Sequence, residues 1–390
     1  MKMETAGAVS KTHNDMSSDT TTILDNSNSS ELDPILGQEV AIGSIDAELR
    51  KLWAVDKART NACLINFAFY SEQKGSLTLN SRIVSELTRD HACRALLIEM
   101  DRSASQPSLR AWVTAHCHLS QGKKSVCCEQ IAFALTGVSR GRLRNTVFAH
   151  LSSDLPLILW WQGELSPIFE ERLYSVIDRF VFDSSSWSNP QASFTIIDQA
   201  VHGSKRPLVI QDLAWTRTYQ YRLALASLFD DPLAQQNLSH ISQIEITHHP
   251  LHRNSALQLL SWLATQAVWR QGLELQLTVS HNHAQRESYH FEHKTGESIQ
   301  ATLISDEQAA PIAQLSITGG PMSLVVNREP SSAHIHMRLS VGDHITETLA
   351  PAGCDDCAML IGDQLARGGK NSLFLKILPL FQNLLESQLP

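Results

Sequence analysis

The chain has 390 residues, 43% hydrophobic and 18% charged, enough apolar side chain to bury a core in two folded units. Its formal net charge is −8 and no Lys/Arg-rich stretch stands out, which argues against a phosphate-tracking nucleic-acid surface. The longest apolar run, Leu155 to Trp161, is interrupted by Pro156 and falls far short of the ~20 residues of a membrane span.

Residues 1–35 are rich in Ser, Thr, Asp and Asn and read as a disordered tail, without the charged-then-apolar layout of a signal peptide. A short helix is expected from Ile45 through Trp53. The run Ala62 to Tyr70 is almost continuously apolar, as in a strand covered on both faces of a parallel sheet. Asn80 or Ser81 can cap a helix burying Ile83, Val84 and Leu87, and Ala95 to Met100 gives a second buried strand, so the order β-α-β implies a right-handed crossover. Leu109 to Leu119 and Val126 to Leu135 flank the turn-prone Gln121-Gly122-Lys123-Lys124, which suggests an antiparallel pair, with a helical second arm left open. Leu143 to Leu151 reads as a helix. Leu157 to Trp161 and Arg179 to Asp183 read as further buried strands.

The second half has another texture. A helix is expected over Thr216 to Phe229, and an amphipathic one through Ala256, Leu259, Leu260, Leu263, Ala264 and Ala267. Leu273, Leu275, Leu277 and Val279 alternate with polar residues, as do Ala333, Ile335, Met337 and Leu339. Further strands fall around Thr302, Leu315 and Val325. One-sided alternation belongs to an antiparallel sheet with helices on one face. Pro379 should kink or split the terminal helical stripe of Leu373, Ile377, Leu380, Phe381 and Leu384. The expected architecture is α/β: an N-terminal Rossmann-like mixed α/β domain over 36–165, then an α+β domain with a largely antiparallel sheet over 166–390.

The motifs narrow the chemistry. The link after the first long strand, Ser71 to Ser76, has one glycine, so neither a Gly-x-Gly-x-x-Gly nor a Walker-type loop is present, and no nucleotide cofactor is expected on that ground. Gly-x-Ser-x-Gly and His-Glu-x-x-His are absent as well. The His248-His249 and His252 group, and His281 with His283, lack a cysteine pair at zinc spacing, and no metal is expected. Seven cysteines are an odd number without the spacing of a disulfide framework, consistent with a cytoplasmic protein. Cys354-Asp355-Asp356-Cys357 is a Cys-x-x-Cys and a candidate redox pair, though its two carboxylates should raise the thiol pKa values.

Asp183-Ser184-Ser185 follows a buried strand, where an acid and hydroxyls can hold a sugar or phosphate or simply cap a turn. Trp160 and Trp161 should face opposite sides, one in the core and one in a second layer or at a surface where it could anchor a partner. Asp212, Trp215 and Arg217 stand at the mouth of a helix, as a structural junction or a partner contact. No segment couples a nucleophile to a base.

These segments also carry a resemblance. Asp90-His91-Ala92-Cys93-Arg94 is similar to the His-Pro-Cys-Arg step of the OpcA family, the glucose-6-phosphate dehydrogenase assembly proteins, with Ala92 in place of proline. Cys128-Glu129-Gln130-Ile131, Asp154-Leu155-Pro156-Leu157, Trp160-Trp161-Gln162-Gly163, Asp178 to Ser185, Asp212 to Arg217 and Phe229-Asp230 resemble its later blocks in order. The resemblance, which covers about Arg59 to Trp269, implies a partner of glucose-6-phosphate dehydrogenase that assists its assembly or activates it allosterically; with no catalytic constellation in view, a non-catalytic, cytoplasmic protein is expected, with neither membrane nor nucleic acid involved. An enzyme acting on a sugar phosphate, with its crevice near Asp183, is the alternative.

Overall fold

The fold is seen in a computed structural model, which describes residues 34–54, 59–61, 63–120, 124–137, 143–266, 273–274, 280–281, 285–293, 298–367 and 371–386. The first sheet contains β1 (Gln38–Val40), β2 (Arg59–Asn61), β3 (Ile65–Ser71), β4 (Cys93–Asp101), β5 (Ser108–Ser120), β6 (Lys124–Thr136), β7 (Leu157–Gln162), β8 (Arg179–Phe182) and β9 (Val209–Asp212). Its order is β1-β5-β6-β4-β3-β7-β8-β9, with β2 pairing β6 off this path. The six strands β6-β4-β3-β7-β8-β9 are mutually parallel. Numbered among themselves they run 3-2-1-4-5-6, the order of a doubly wound dinucleotide-binding sheet.

The continuous apolar runs explain this sheet. In β3 every residue from Asn66 to Ser71 is buried, and in β7 every residue from Leu157 to Trp161, because both faces are covered. Trp160 and Trp161 do face opposite sides, yet both are core: Trp160 lies 5.4 Å from Phe69, and Trp161 stacks on Tyr70 at 4.0 Å.

β5 and β6 pair antiparallel along their whole length, so the second arm is strand; turn residues 121–123 lie outside the described residues. That pairing sets Cys117 opposite Cys127, and the two form a disulfide, contrary to the expectation from the cysteine count. The boundary expected at 165/166 falls inside the first sheet, since β8 and β9 extend it. The segment Leu143 to Leu151 is a wide π turn over Leu143–Val147 followed by a 3-10 turn.

The second sheet contains β10 (Gln243–His248), β11 (Leu273–Glu274), β12 (Ser280–His281), β13 (Arg286–His293), β14 (Ser298–Ser305), β15 (Ile312–Gly319), β16 (Met322–Asn327), β17 (His334–Val341) and β18 (His344–Pro351). Its order is β11-β13-β14-β10-β15-β16-β17-β18, antiparallel throughout except for β10 with β14; β12 pairs β13 off this path. β17 alternates with Ile335, Met337 and Leu339 buried and His334, His336 and Arg338 exposed, while Ala333, read with the buried set, precedes the strand and is exposed. Leu275, Leu277 and Val279 lie outside the described residues, as do residues 1–33.

Three helices depart from their expected form. The helix Arg253–Gln266 is buried on all sides from Asn254 to Ala264, with sheet on one side and helices on the other. The stretch Thr216 to Phe229 divides at Thr218 into Leu213–Arg217 and Tyr219–Phe229, the Thr218 hydroxyl donating to the Trp215 carbonyl at 2.8 Å. The helix Ser372–Glu386 continues through Pro379, which stands on its exposed side.

Candidate functional site

β8 and β9 run side by side with Phe182 opposite Asp212, so Asp183 and Asp212 emerge together at the carboxyl edge of the parallel sheet. Each carboxylate starts a helical turn: Asp183 accepts from the Ser185 amide at 3.1 Å and Asp212 from the Ala214 amide at 2.9 Å. Asp212, fully buried, also accepts from the Ser184 amide at 3.0 Å, the Ser184 hydroxyl at 2.6 Å and Gln258 Nε2 at 2.6 Å. Arg217 reaches back with both terminal nitrogens to Asp183, at 2.7 and 3.3 Å, and donates to the Ser185 hydroxyl at 3.2 Å. Asn254 donates to the Ser184 carbonyl at 2.8 Å, and Gln364 donates to the Thr216 hydroxyl at 2.5 Å. Four segments distant in sequence thus meet at one sheet edge.

The electrostatics follow from burial and from two neighbouring acids of which only one is paired with a cation. Burial pushes the Asp183 carboxyl up, but the charge and hydrogen bonds of Arg217 outweigh it, and its pKa lies below the ordinary value. Asp212 has no such cation. Burial first, then the Asp183 charge, raise it to about 6, against the hydrogen bonds from Ser184 and Gln258. His252 is driven down to about 4, by burial first and then by the Arg217 charge, so its ring is neutral at neutral pH. Asp183 and Arg217 therefore form a closed ion pair, with a second acid held ready to take a proton beside it.

The Cys-x-x-Cys loop packs here too, and both its thiols are free. Asp355 forms a two-point ion pair with Arg328 at 2.8 and 3.3 Å, while Asp356 caps the helix Cys357–Ala366. The Cys357 thiol is raised by burial first, then by Asp183 and Asp356, with Arg217 opposing.

Of the places open to them, Trp160, Trp161 and Trp215 take the interior, at 4%, 1% and 3% exposure, and Ser184 and Asp212 are sealed completely. These five side chains build the interior. A cleft of about 450 Å³ does open beside Ser185, lined by Trp187, Asn189, Gln191, Arg253 and Asn254, but Asp183 is not part of its wall. His248 and His249 bond locally, and among the described residues no three of His, Cys, Asp and Glu converge as metal ligands. His283 lies outside the described residues. Asn254 and Gln258 give no sign in the sequence, because polar residues beside an apolar stripe read as solvent-facing; His252 stands out there only as part of a histidine group, not as a neighbour of Arg217.

The strand order invites a comparison at its switch point, where β3 and β7 diverge and a dinucleotide would lay its pyrophosphate on the following helix. There the first turn of the helix Ser76–Leu87 is occupied by the Glu99 carboxylate, which accepts from the Ser76 hydroxyl and the Leu77 amide, each at 3.2 Å. A fixed carboxylate at that helix start opposes a phosphate by charge as well as by space. Asn80 and Gln162 bridge the same crevice through reciprocal amide bonds of 2.9 and 2.8 Å. The residues present do not fit a dinucleotide. No helix among the described residues is long and apolar enough to cross a membrane.

The sequence blocks that carry the resemblance are bound to one another. Arg94 pairs with Glu129 at 2.9 Å, and Asp178 accepts from the Leu157 amide at 2.8 Å, just as Asp183 holds Arg217. Two family models match in the same region: the N-terminal domain of the glucose-6-phosphate dehydrogenase subunit OpcA over residues 84–199, and its C-terminal domain over residues 208–378. The chain belongs to the OpcA family. The OpcA matches thus reach into both sheets, including the part beyond Trp269 where the motifs fade. No match was found among curated proteins. Among solved structures this OpcA chain is similar to a 3-ketoreductase from Actinomadura kijaniata, in complex with NADP and TDP-benzene, with 10% identity over 83% of this chain and 96% of that one at a TM-score of 0.47. It is also similar to an aldose-aldose oxidoreductase from Caulobacter crescentus, at 11% identity over 83% and 97% with a TM-score of 0.43. A myo-inositol dehydrogenase from Corynebacterium glutamicum gives 11% identity over 83% and 96% with a TM-score of 0.40. At these scores the likeness carries no argument about this chain's activity.

Proposed function

We propose that this OpcA chain is a cytoplasmic, non-catalytic assembly factor and activator of glucose-6-phosphate dehydrogenase, supplying the oxidative pentose phosphate pathway. The observation that carries this reading is the pair of family matches, which run from residue 84 to residue 378 and take in six strands of the first sheet and all of the second. The polar cluster at the sheet edge supports it, because Asp183 and Asp212 are engaged by Arg217, Ser184 and Gln258 of the same chain.

Since the tryptophans are interior, the contact surface is sought elsewhere, and the outer face of the second sheet suits it. One row across that face reads Thr302, Glu245, Ser316, Val325, Arg338 and Glu347, none of them buried. It ends on β18, an edge strand carrying Ile345 and Leu349 at 54% and 66% exposure. The six strands of this row, ~4.8 Å apart and ~20 Å long, present roughly 600 Å², about three-quarters of the ~800 Å² one partner gives a standard interface. Docking of the dehydrogenase on this face predicts that Ile345→Asp with Leu349→Asp weakens association at least about tenfold, while circular dichroism and thermal stability stay unchanged. An affinity equal to that of the parent chain would remove this face as the contact.

A further inference from the structure

Beside the helix Leu213–Arg217 lies a cavity of about 330 Å³ that shares Thr216 and Gln364 with the Asp183 cluster but is not lined by Asp183, Asp212 or Arg217. The break at Thr218 folds the helix Tyr219–Phe229 so that the Arg222 guanidinium lies 3.3 Å over the Trp215 ring. Arg367, at the end of the helix Cys357–Ala366, lies 3.6 Å over Tyr219, whose ring is also 5.9 Å from the Arg222 guanidinium. Two guanidiniums and two aromatic faces therefore line one cavity, with Trp262 and Leu373 as further apolar wall.

The charge in this cavity is not balanced. None of its described lining residues is an Asp or Glu. Arg222 is only 8% exposed, and its Nη1 is sealed with no hydrogen-bond partner among the described residues; Gln211 Oε1, in the same wall, is equally unpartnered. Arg367 has an ion pair with the exposed Asp363 at 3.3 Å, one turn back. Stacking on indole satisfies the face of a guanidinium but leaves its in-plane donors unmet. Burial, with Arg367 adding to it, pulls the Arg222 pKa down to about 9, the direction expected of a cation lacking a counter-charge. An isolated buried charge is costly, and proteins retain one where something pairs with it.

We propose that this cavity binds a small phosphomonoester, its phosphate held between Arg222 and Arg367 and its carbon skeleton laid against Tyr219 and Trp262. Paired guanidinium forks match the several oxygens of a phosphate dianion. The volume lies at the lower end of ligand pockets, of monosaccharide-phosphate scale. The inference is read from the isolated chain and does not depend on which enzyme the chain assists.

The test is a titration of the full chain, followed by tryptophan fluorescence and thermal shift. Glucose 6-phosphate and inorganic phosphate serve as probes, with potassium chloride at matched ionic strength as control. Saturable binding of the hexose phosphate, tighter than that of inorganic phosphate, is expected. Arg222→Met and Arg367→Met should each weaken it at least about tenfold, the loss of one charged contact. Arg367 is partly exposed, so its variant keeps the fold whatever happens to the Arg222 variant, and circular dichroism verifies both. No saturable response beyond the chloride control, phosphate binding without sugar-phosphate binding, or binding unchanged in a folded Arg367→Met variant would overturn the proposal.

Discussion

Arg217→Met is expected to destabilise the folded chain by about 3–5 kcal/mol, the cost of leaving a partner charge buried alone. The Arg217 side chain is 4% exposed and that of Asp183 18%, so the solvent screening that weakens surface pairs is largely absent. Removing the guanidinium leaves Asp183 beside Asp212, two acids with no cation between them, and also strips a donor from Ser185. Asp183→Asn combined with Arg217→Met should recover much of the loss, since neither charge then remains. Urea unfolding of the parent, the single variant and the double variant checks this. A single variant with an unchanged midpoint, or a double variant no better than the single, would show that the pair does not hold the sheet edge together.

The second large effect is in the pH dependence of stability, where two buried groups act with opposite sign. Asp212 has its pKa raised to about 6, so its contribution is fully present below the unfolded value of 3.8 and is lost as pH rises through about 6. His252 has its pKa lowered from 6.5 to about 4, so burying it neutral favours folding above 6.5 and costs stability as pH falls toward 4. Between about pH 4 and 6 the folded chain carries a proton on Asp212 while the unfolded chain carries one on His252. The two slopes cancel in the parent chain. Asp212→Asn removes one of them, and the variant should lose roughly 3 kcal/mol relative to the parent as pH falls from 6 to 4, at ~1.4 kcal/mol per unit. His252→Gln should show the reverse trend. The geometry also favours the amide at neutral pH, because Gln258 Oε1 is sealed without a partner and could accept from the introduced amide nitrogen once the Gln258 amide turns. Parallel stability profiles for both variants and the parent across this window would contradict the assignment.

The legible parts of this molecule were those where a residue's local pattern decides its place. β3, β4 and β7 are runs of apolar residues that only a sheet covered on both faces accommodates, and β17 shows its two faces in its own alternation. Asp183, Asp212, Arg217 and Cys357 each stood out singly, but their convergence depends on β8 lying beside β9, which no local spacing encodes. The Cys117–Cys127 bond likewise needs the register of a long hairpin. Trp160, Trp161 and Trp215 could not be placed because an indole serves equally well in a core and at a contact; the break at Thr218 decides for Trp215. Arg222 escaped attention for a related reason: an arginine four residues into a surface-like helix gives no sign that its head is buried on a tryptophan. β8 and β9, four residues each, look in the sequence like the start of something new, yet they are the last strands of the first sheet.

As proposed, the chain works through the surface it offers to another enzyme. The most direct measurement mixes the purified chain with glucose-6-phosphate dehydrogenase from the same organism, recording mass by light scattering and NADPH formation on the same samples. A heavier complex whose dehydrogenase activity differs from that of the enzyme alone is the expected result, with no turnover of glucose 6-phosphate by the chain itself. Two species that keep their separate masses with unaltered activity, or turnover by the isolated chain, would contradict it.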